Sequence, residues 1–306
     1  MIFHGPILLR IKRNENLSGM ISYVILAILI SGCSLTNNQI VKTQSFATAT
    51  YNLGKLGEEE FVNIRNGIIE MNKELVSIDN TKTANSLRFD RPASAKATAT
   101  RVAASKALKL YGELLIGLVT EDRTAPLREI AGSLIENTSA ALKRELSDEK
   151  KGALNKIIVG LGSFWVENKK ADAVKKIIPA YHLPVNELAD LLNEDLSLDD
   201  GSLGLLKAYS ATAKRLKNAS MRLVNAGNQY TVLERDRAVD ALVISEKSIS
   251  RAIEISSMAK KSITGLKKAN SELVKIIGDD KYSTDDIRAY AKQIHELMNM
   301  YQVLTN

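Results

Sequence analysis

Several places in the chain hold residue types that could do chemistry, and the most suggestive is His295-Glu296. A zinc-hydrolase helix needs a second histidine one turn later, so that two imidazoles share the metal while the glutamate serves as base. Position 299 is Asn, so the pair reads as ordinary helix surface. Ser257-Met258-Ala259-Lys260 has the Ser-x-x-Lys spacing that sets an amine one helical turn from a hydroxyl, close enough to accept its proton. No Lys-Thr-Gly companion occurs, and a chain this rich in Ser and Lys produces the pattern by chance. Glu58-Glu59-Glu60 offers three carboxylates, but adjacent helical side chains point about 100° apart, which suits a solvated face better than an acid–base pair. His182 has no other ligand type beside it in sequence. With no cysteine after residue 33, a transition-metal site would need carboxylates for most of its ligands. No phosphate-binding Gly-Lys-Ser/Thr loop is present. The expectation is a protein with no catalytic, cofactor-binding or metal site, and no small-molecule substrate is indicated.

The one cysteine of the chain, Cys33, stands at the end of a three-part segment. Arg10, Lys12 and Arg13 make a positive start, Met20 to Ile30 is nearly all apolar, and Ser31 and Gly32 are small, which is signal-peptide order. The apolar run is much shorter than the roughly 20 residues that cross a bilayer as a helix. Ile30, Ser31, Gly32 and Cys33 resemble the lipobox of bacterial lipoproteins. That resemblance covers the N-terminal segment alone and implies that the Cys33 sulfur receives a diacylglycerol, that the signal is cut after Gly32, and that the new amine takes a further acyl chain such as palmitate. One acyl chain binds a membrane marginally, whereas two or three, at about 0.8 kcal/mol per buried CH₂, hold a protein there. The competing reading is a buried thiol in an N-terminal helix. Ser34, where Asp could stand, resembles the outer-membrane sorting pattern, so the expected address is the outer membrane facing the periplasm.

The chain has 306 residues and a net charge of +7. Removal of residues 1–32 takes away Arg10, Lys12, Arg13 and Glu15 and leaves a milder positive excess. That excess suits an anionic lipid or polysaccharide and is too dispersed to argue for nucleic acid. Without a second cysteine no intrachain disulfide can form, so stability must come from packing. Few prolines and many Ala, Leu, Lys and Glu bias the chain toward helix.

Hydrophobic spacing then sets out the elements. Residues 33–45, the lipidated cysteine and SLTNNQIVKTQS, read as a polar tether. Phe61, Ile64, Ile68, Met71, Leu75 and Ile78 recur at steps of three and four and line one helical face that should end near Asp79 and Asn80. A loop to Pro92 precedes an Ala-rich helix whose small side chains permit close packing. Thr124 and Pro126 open a helix carrying Leu127, Ile130 and Leu134, and Ser147 caps another that contains the apolar segment 157–166. Pro179 and Pro184 punctuate the chain, with AYHL between them as a connection, VNELADLLNEDL as a short helix after them, and SLDDGS as a break.

Tyr209, Leu216, Leu223 and Tyr230 hold a heptad phase across Asn225-Ala226-Gly227-Asn228, so one helix or two remain open from residue 203 to 277. Leu242, Ile249, Ile263 and Ile277 hold one heptad position thereafter and Ala252, Ala259, Leu266 and Leu273 another, with Ser245, Ser256 and Asn270 as polar breaks. Ser283 caps a last helix carrying Ile287, Tyr290, Ile294, Leu297, Tyr301 and Leu304. The pattern predicts an all-α bundle of long, largely antiparallel amphipathic helices with coiled-coil-like seams, in which 46–200 and 201–306 pack into one domain. On the outer face of the helix after Leu242, Lys247, Lys261, Lys268 and Lys275 share a heptad position, with Lys260 and Lys267 beside them and Glu254 interrupting. The stripe is a candidate anionic-surface site, and its bland counterpart is a solvated face. These features point to a lipid-anchored, non-catalytic interaction or scaffolding module with an envelope protein or polymer as partner. The alternatives are a membrane-active protein inserting 157–166 and an envelope hydrolase.

Overall fold

The computed structural model describes residues 34–78, 88–120, 127–143, 167–199, 201–226, 229–279 and 281–305. Cys33 with the segment before it, the Thr124–Pro126 and Ser147 caps, and the apolar segment 157–166 lie outside them. Seven helices are described: α1 (Asn37–Ile78), α2 (Ala95–Val119), α3 (Leu127–Leu142), α4 (Glu167–Leu196), α5 (Leu205–Asn225), α6 (Val232–Gly278) and α7 (Asp285–Thr305). They pack against one another as an all-α bundle, with no strand among the described residues.

One hydrophobic core runs through both halves of the chain, because α1 packs against α2 and also against α5, α6 and α7. The expected seams are in it. Phe61, Ile64, Ile68 and Met71 of α1 are buried, as are Ala252, Ala259, Leu266 and Leu273 of α6 and Ile287, Tyr290, Ile294 and Leu297 of α7. Aromatic rings tie four helices together near the centre. Phe46 of α1 meets Tyr111 of α2 edge-on at 6.4 Å and Tyr290 of α7 at 5.9 Å, and Tyr111 stacks on Tyr181 of α4 at 5.2 Å. Burial pushes the phenols of Tyr111, Tyr181 and Tyr290 well above their usual range, so they act as neutral core side chains.

Two features depart from expectation, and one open question is answered. Residues 33–45 are not a tether from end to end, because α1 begins at Asn37. Thr36 and Gln39 form a capping box: the Gln39 N–H donates to Thr36 Oγ1 (3.2 Å) and the Thr36 N–H to Gln39 Oε1 (3.0 Å). Pro179 and Pro184 do not break the chain either, since both lie inside α4. A helix-interior proline costs about 3 kcal/mol. The apolar face of Val174, Ile177, Ile178, Tyr181, Val185, Leu188 and Leu192 runs past both, fully buried, and its burial at roughly 1.5–3 kcal/mol per large side chain outweighs that loss. Finally, α5 and α6 are separate helices. Thr231 and Glu234 make a reciprocal capping box at the start of α6, and Tyr230, the last member of the heptad run, is exposed.

The backbones of α1 and α2 approach closely at two glycines. A Cβ placed on Gly54 would stand 2.4 Å from the Lys109 backbone nitrogen, and one on Gly112 would stand 2.5 Å from the Ala47 carbonyl oxygen. Both would strike main chain, which cannot swing aside. Gly132 in α3 has nothing within 4 Å of the same position. Gly54→Ala should therefore destabilise the protein by about 1–3 kcal/mol through overpacking, although alanine is the better helix former. Gly132→Ala should instead stabilise it by up to about 1 kcal/mol. Urea unfolding of the two variants, read against the parent, gives both signs.

Candidate functional site

The lysines on α6 divide into two sets. Lys247, Lys261, Lys268 and Lys275 are exposed, and none makes a salt bridge to another described residue. Lys260 and Lys267 do not widen the stripe as expected. Lys260 Nζ lies 2.9 Å from Asp199 Oδ2, just beyond α4, and Lys267 Nζ lies 2.6 Å from Asp190 Oδ1 on α4. Their charges are matched locally, and Lys260 with Ser197 holds the Asp199 carboxyl below its usual range. The free set also drifts. A straight helix slips about 20° per heptad, so Lys261, Lys268 and Lys275 make a compact row about 21 Å long while Lys247 sits further round.

That row ends where the described chain begins. Gln39 Nε2 donates to the carbonyls of Ile276 (2.9 Å) and Ile277 (3.3 Å) in the last turn of α6, and Lys175 Nζ of α4 donates to the Ser34 carbonyl at 3.4 Å. Ser34, next in sequence to Cys33, thus belongs to the same end of the bundle as Lys275. Among the described residues, Ser34, Leu35 and Thr36 precede α1.

The residues considered for catalysis are scattered. His295 is exposed on α7, 3.3 Å from Asn299 Nδ2, on the rim of an open groove of about 410 Å³ between α1 and α7. Ser257 is exposed and Lys260 is engaged by Asp199. His182 is not isolated: Asn270 Nδ2 of α6 lies 3.0 Å from its ring Nδ1 and from its carbonyl oxygen, and 3.1 Å from Asn186 Oδ1. Asn270 is fully buried, and a polar side chain on an apolar seam specifies register between two helices. No group of His, Cys, Asp and Glu among the described residues could hold a metal ion.

The glutamate triplet is the clearest revision. Glu59 is exposed, but Glu58 reaches Lys109 of α2 at 3.3 Å and Glu60 is 3% exposed. Glu60 Oε2 lies 2.6 Å from an Arg251 guanidinium nitrogen of α6, and Arg251 in turn lies 5.8 Å from the centre of the Tyr301 ring on α7. Tyr301 accepts a hydrogen bond from Asn63 at 2.7 Å. Burial pushes the Glu60 carboxyl up and Arg251 pulls it back only partly; burial together with the charge of Glu60 pushes the Tyr301 phenol up to about 12. Beside this group is an apolar cavity of about 40 Å³ lined by Leu53, Leu192, Ile255 and Met300 among others, little more than the room one water occupies. The arrangement locks α1, α6 and α7 together. Glu60 sits one turn before Ile64 on the seam spacing, a signal the solvated-face reading passed over.

No protein-family model, curated protein or solved structure matches the chain. No described helix is long and apolar enough to cross a membrane.

Removing one member of a buried ion pair strands the other, at about 3–5 kcal/mol, whereas an apolar replacement of both is often neutral. Arg251→Met alone should lower the unfolding free energy by about 3 kcal/mol. Glu60→Leu combined with Arg251→Met should recover most of that loss in a double-mutant cycle measured by denaturant unfolding.

Proposed function

We propose that the chain is a lipid-anchored, non-catalytic helical module of the cell envelope, held through Cys33 in the outer membrane and facing the periplasm. In that setting it acts as a scaffold or docking partner for another envelope protein or polymer. The observation that carries this reading is Ile30-Ser31-Gly32-Cys33 directly after a charged start and an apolar run. It is supported by the short distance along the chain from Cys33 to the first buried side chain, Gln39, which leaves the bundle close to whatever Cys33 is attached to. Lys275 belongs to that same end, and Lys268 and Lys261 follow it along α6. Each such lysine contributes about 1 kcal/mol against an anionic surface. The acyl chains at Cys33 hold the bundle at the surface, and the lysine row adds to that attachment where the lipid is anionic.

Cys33→Ser should abolish incorporation of labelled fatty acid and leave the precursor uncut; labelling equal to that of the parent would remove the anchor from this reading.

The lysine row is tested separately with residues 34–306, which lack the lipid. That protein should sediment with vesicles containing anionic lipid at low ionic strength and release as salt rises. Changing Lys261, Lys268 and Lys275 together to Glu should abolish the binding. A triple variant that binds like its parent would make the row a solvated face.

A further inference from the structure

At the end of the bundle remote from Ser34, the connection between α5 and α6 stands out into solvent. Residues 229–237, which form the tip between α5 and α6 and the first turns of α6, are exposed without exception, and the first buried side chain of α6 is Ala238. Among them Val232 is 78% and Leu233 72% exposed. Met221 of α5 and Val239 and Val243 of α6 continue this apolar surface. Beside the tip, the last turns of α5 and the end of α1 enclose an open groove of about 850 Å³, floored by Leu75, Ala219, Met221 and Ala226 and edged by Arg215, Asn218, Arg222 and Asn225. Among the described residues no carboxylate lines it. The charge of α5 is one-sided: it carries Lys207, Lys214, Arg215, Lys217 and Arg222 and no acidic residue. Lys217 is paired with Glu246 and Lys207 donates to the Asp199 carbonyl, whereas Lys214 and Arg222 are exposed and make no salt bridge to a described residue.

We infer that this α5–α6 tip and its groove form a docking surface for an acidic amphipathic segment of a partner protein, whose apolar side chains meet Met221, Val232 and Leu233 and whose carboxylates meet Arg215 and Arg222. Charge complementarity selects this occupant. On α6 the exposed Glu234 and Asp236 alternate with Arg235 and Arg237, so α5 sets the sign of the groove; a second copy docking groove to groove would bring one all-basic α5 against another, and an acidic polymer without apolar groups would leave Val232 and Leu233 uncovered. The inference rests on the reading of the chain as an interaction module, but not on lipid at Cys33.

The test uses the full chain in nanodiscs of zwitterionic lipid, with empty discs as blank and a fluorescent amphipathic peptide of Glu and Leu as probe. A peptide with Lys in place of each Glu has the same apolar content and reports partition into the disc. The expected result is saturable binding of the Glu peptide alone. It should weaken about tenfold or more with Arg215→Glu plus Arg222→Glu, and likewise with Val232→Ser plus Leu233→Ser. Both pairs of positions are solvent-facing, and unchanged thermal unfolding shows that the variants are folded. Lys261→Glu plus Lys268→Glu should leave the peptide affinity as it was, which separates the tip from the lysine row, while fatty-acid labelling at Cys33 reports the anchor independently. The inference is overturned if the parent does not bind the Glu peptide, if the Lys peptide binds as well, if either tip variant binds like the parent, or if the parent self-associates through the tip.

Discussion

The bundle is organised by the approach of two backbones. Where Gly54 of α1 faces Lys109 of α2, and Gly112 of α2 faces Ala47 and Tyr51 of α1, there is no room for a methyl group. Small residues let helix axes come closer than the usual 8–10 Å, and the resulting α1–α2 pair presents one flank to α5, α6 and α7 and another to α3 and α4. Because α1 touches helices from both halves of the chain, its depth in the bundle fixes how far apart the others stand. Phe46, between Tyr111 and Tyr290, fills the space that this spacing leaves.

A second organising theme is that helix ends are closed by side chains from other helices. Gln39 of α1 supplies donors to the last carbonyls of α6. Asp195, at the end of α4, accepts the Leu205 N–H at the start of α5 and also pairs with Arg101 of α2. Glu272 of α6 accepts the Ile287 N–H in the first turn of α7 at 2.7 Å. Free helix termini leave four unpaired groups each, and acidic side chains at N-terminal ends also complement the helix dipole. These contacts tie the order of the helices to their lengths: shifting α1, α4 or α6 by a turn would open a terminus on its neighbour. Glu60–Arg251 and Asn270–His182 act in the same sense in mid-helix.

What could be read from the sequence was whatever depends on local spacing. The seams from Phe61 onward, in α6 and in α7, consist of large apolar residues at steps of three and four, and burial follows them. The first half of α1 continues that spacing through Gln39, Thr43, Phe46, Thr50 and Leu53, all buried, but its polar members hide the stripe from a hydrophobicity pattern. In α4 the prolines carried more weight in the reading than the apolar face running past them, a case of tertiary packing overriding local propensity. Glu60, Lys260 and Lys267 were misjudged for one reason. Their partners, Arg251, Asp199 and Asp190, lie far away in sequence, and pairings of that kind exist only once the helices are side by side.

The position of Gln39 also bears on how the molecule responds to mechanical load. Tension applied at residue 33 meets first the Lys175–Ser34 contact to α4, and then the Gln39 bonds that join α1 to the final turn of α6. Because α1 is flanked along its length by α2, α5, α6 and α7, a pull along its axis strains these interfaces in shear, many contacts at once, rather than peeling them apart in succession. The glycine contacts at 54 and 112 then act as a ratchet, since sliding α1 past α2 would drive side chains into spaces that hold only hydrogen. A force arriving at residue 34 is thus passed along α1, as a strut, toward the far ends of α5 and α6.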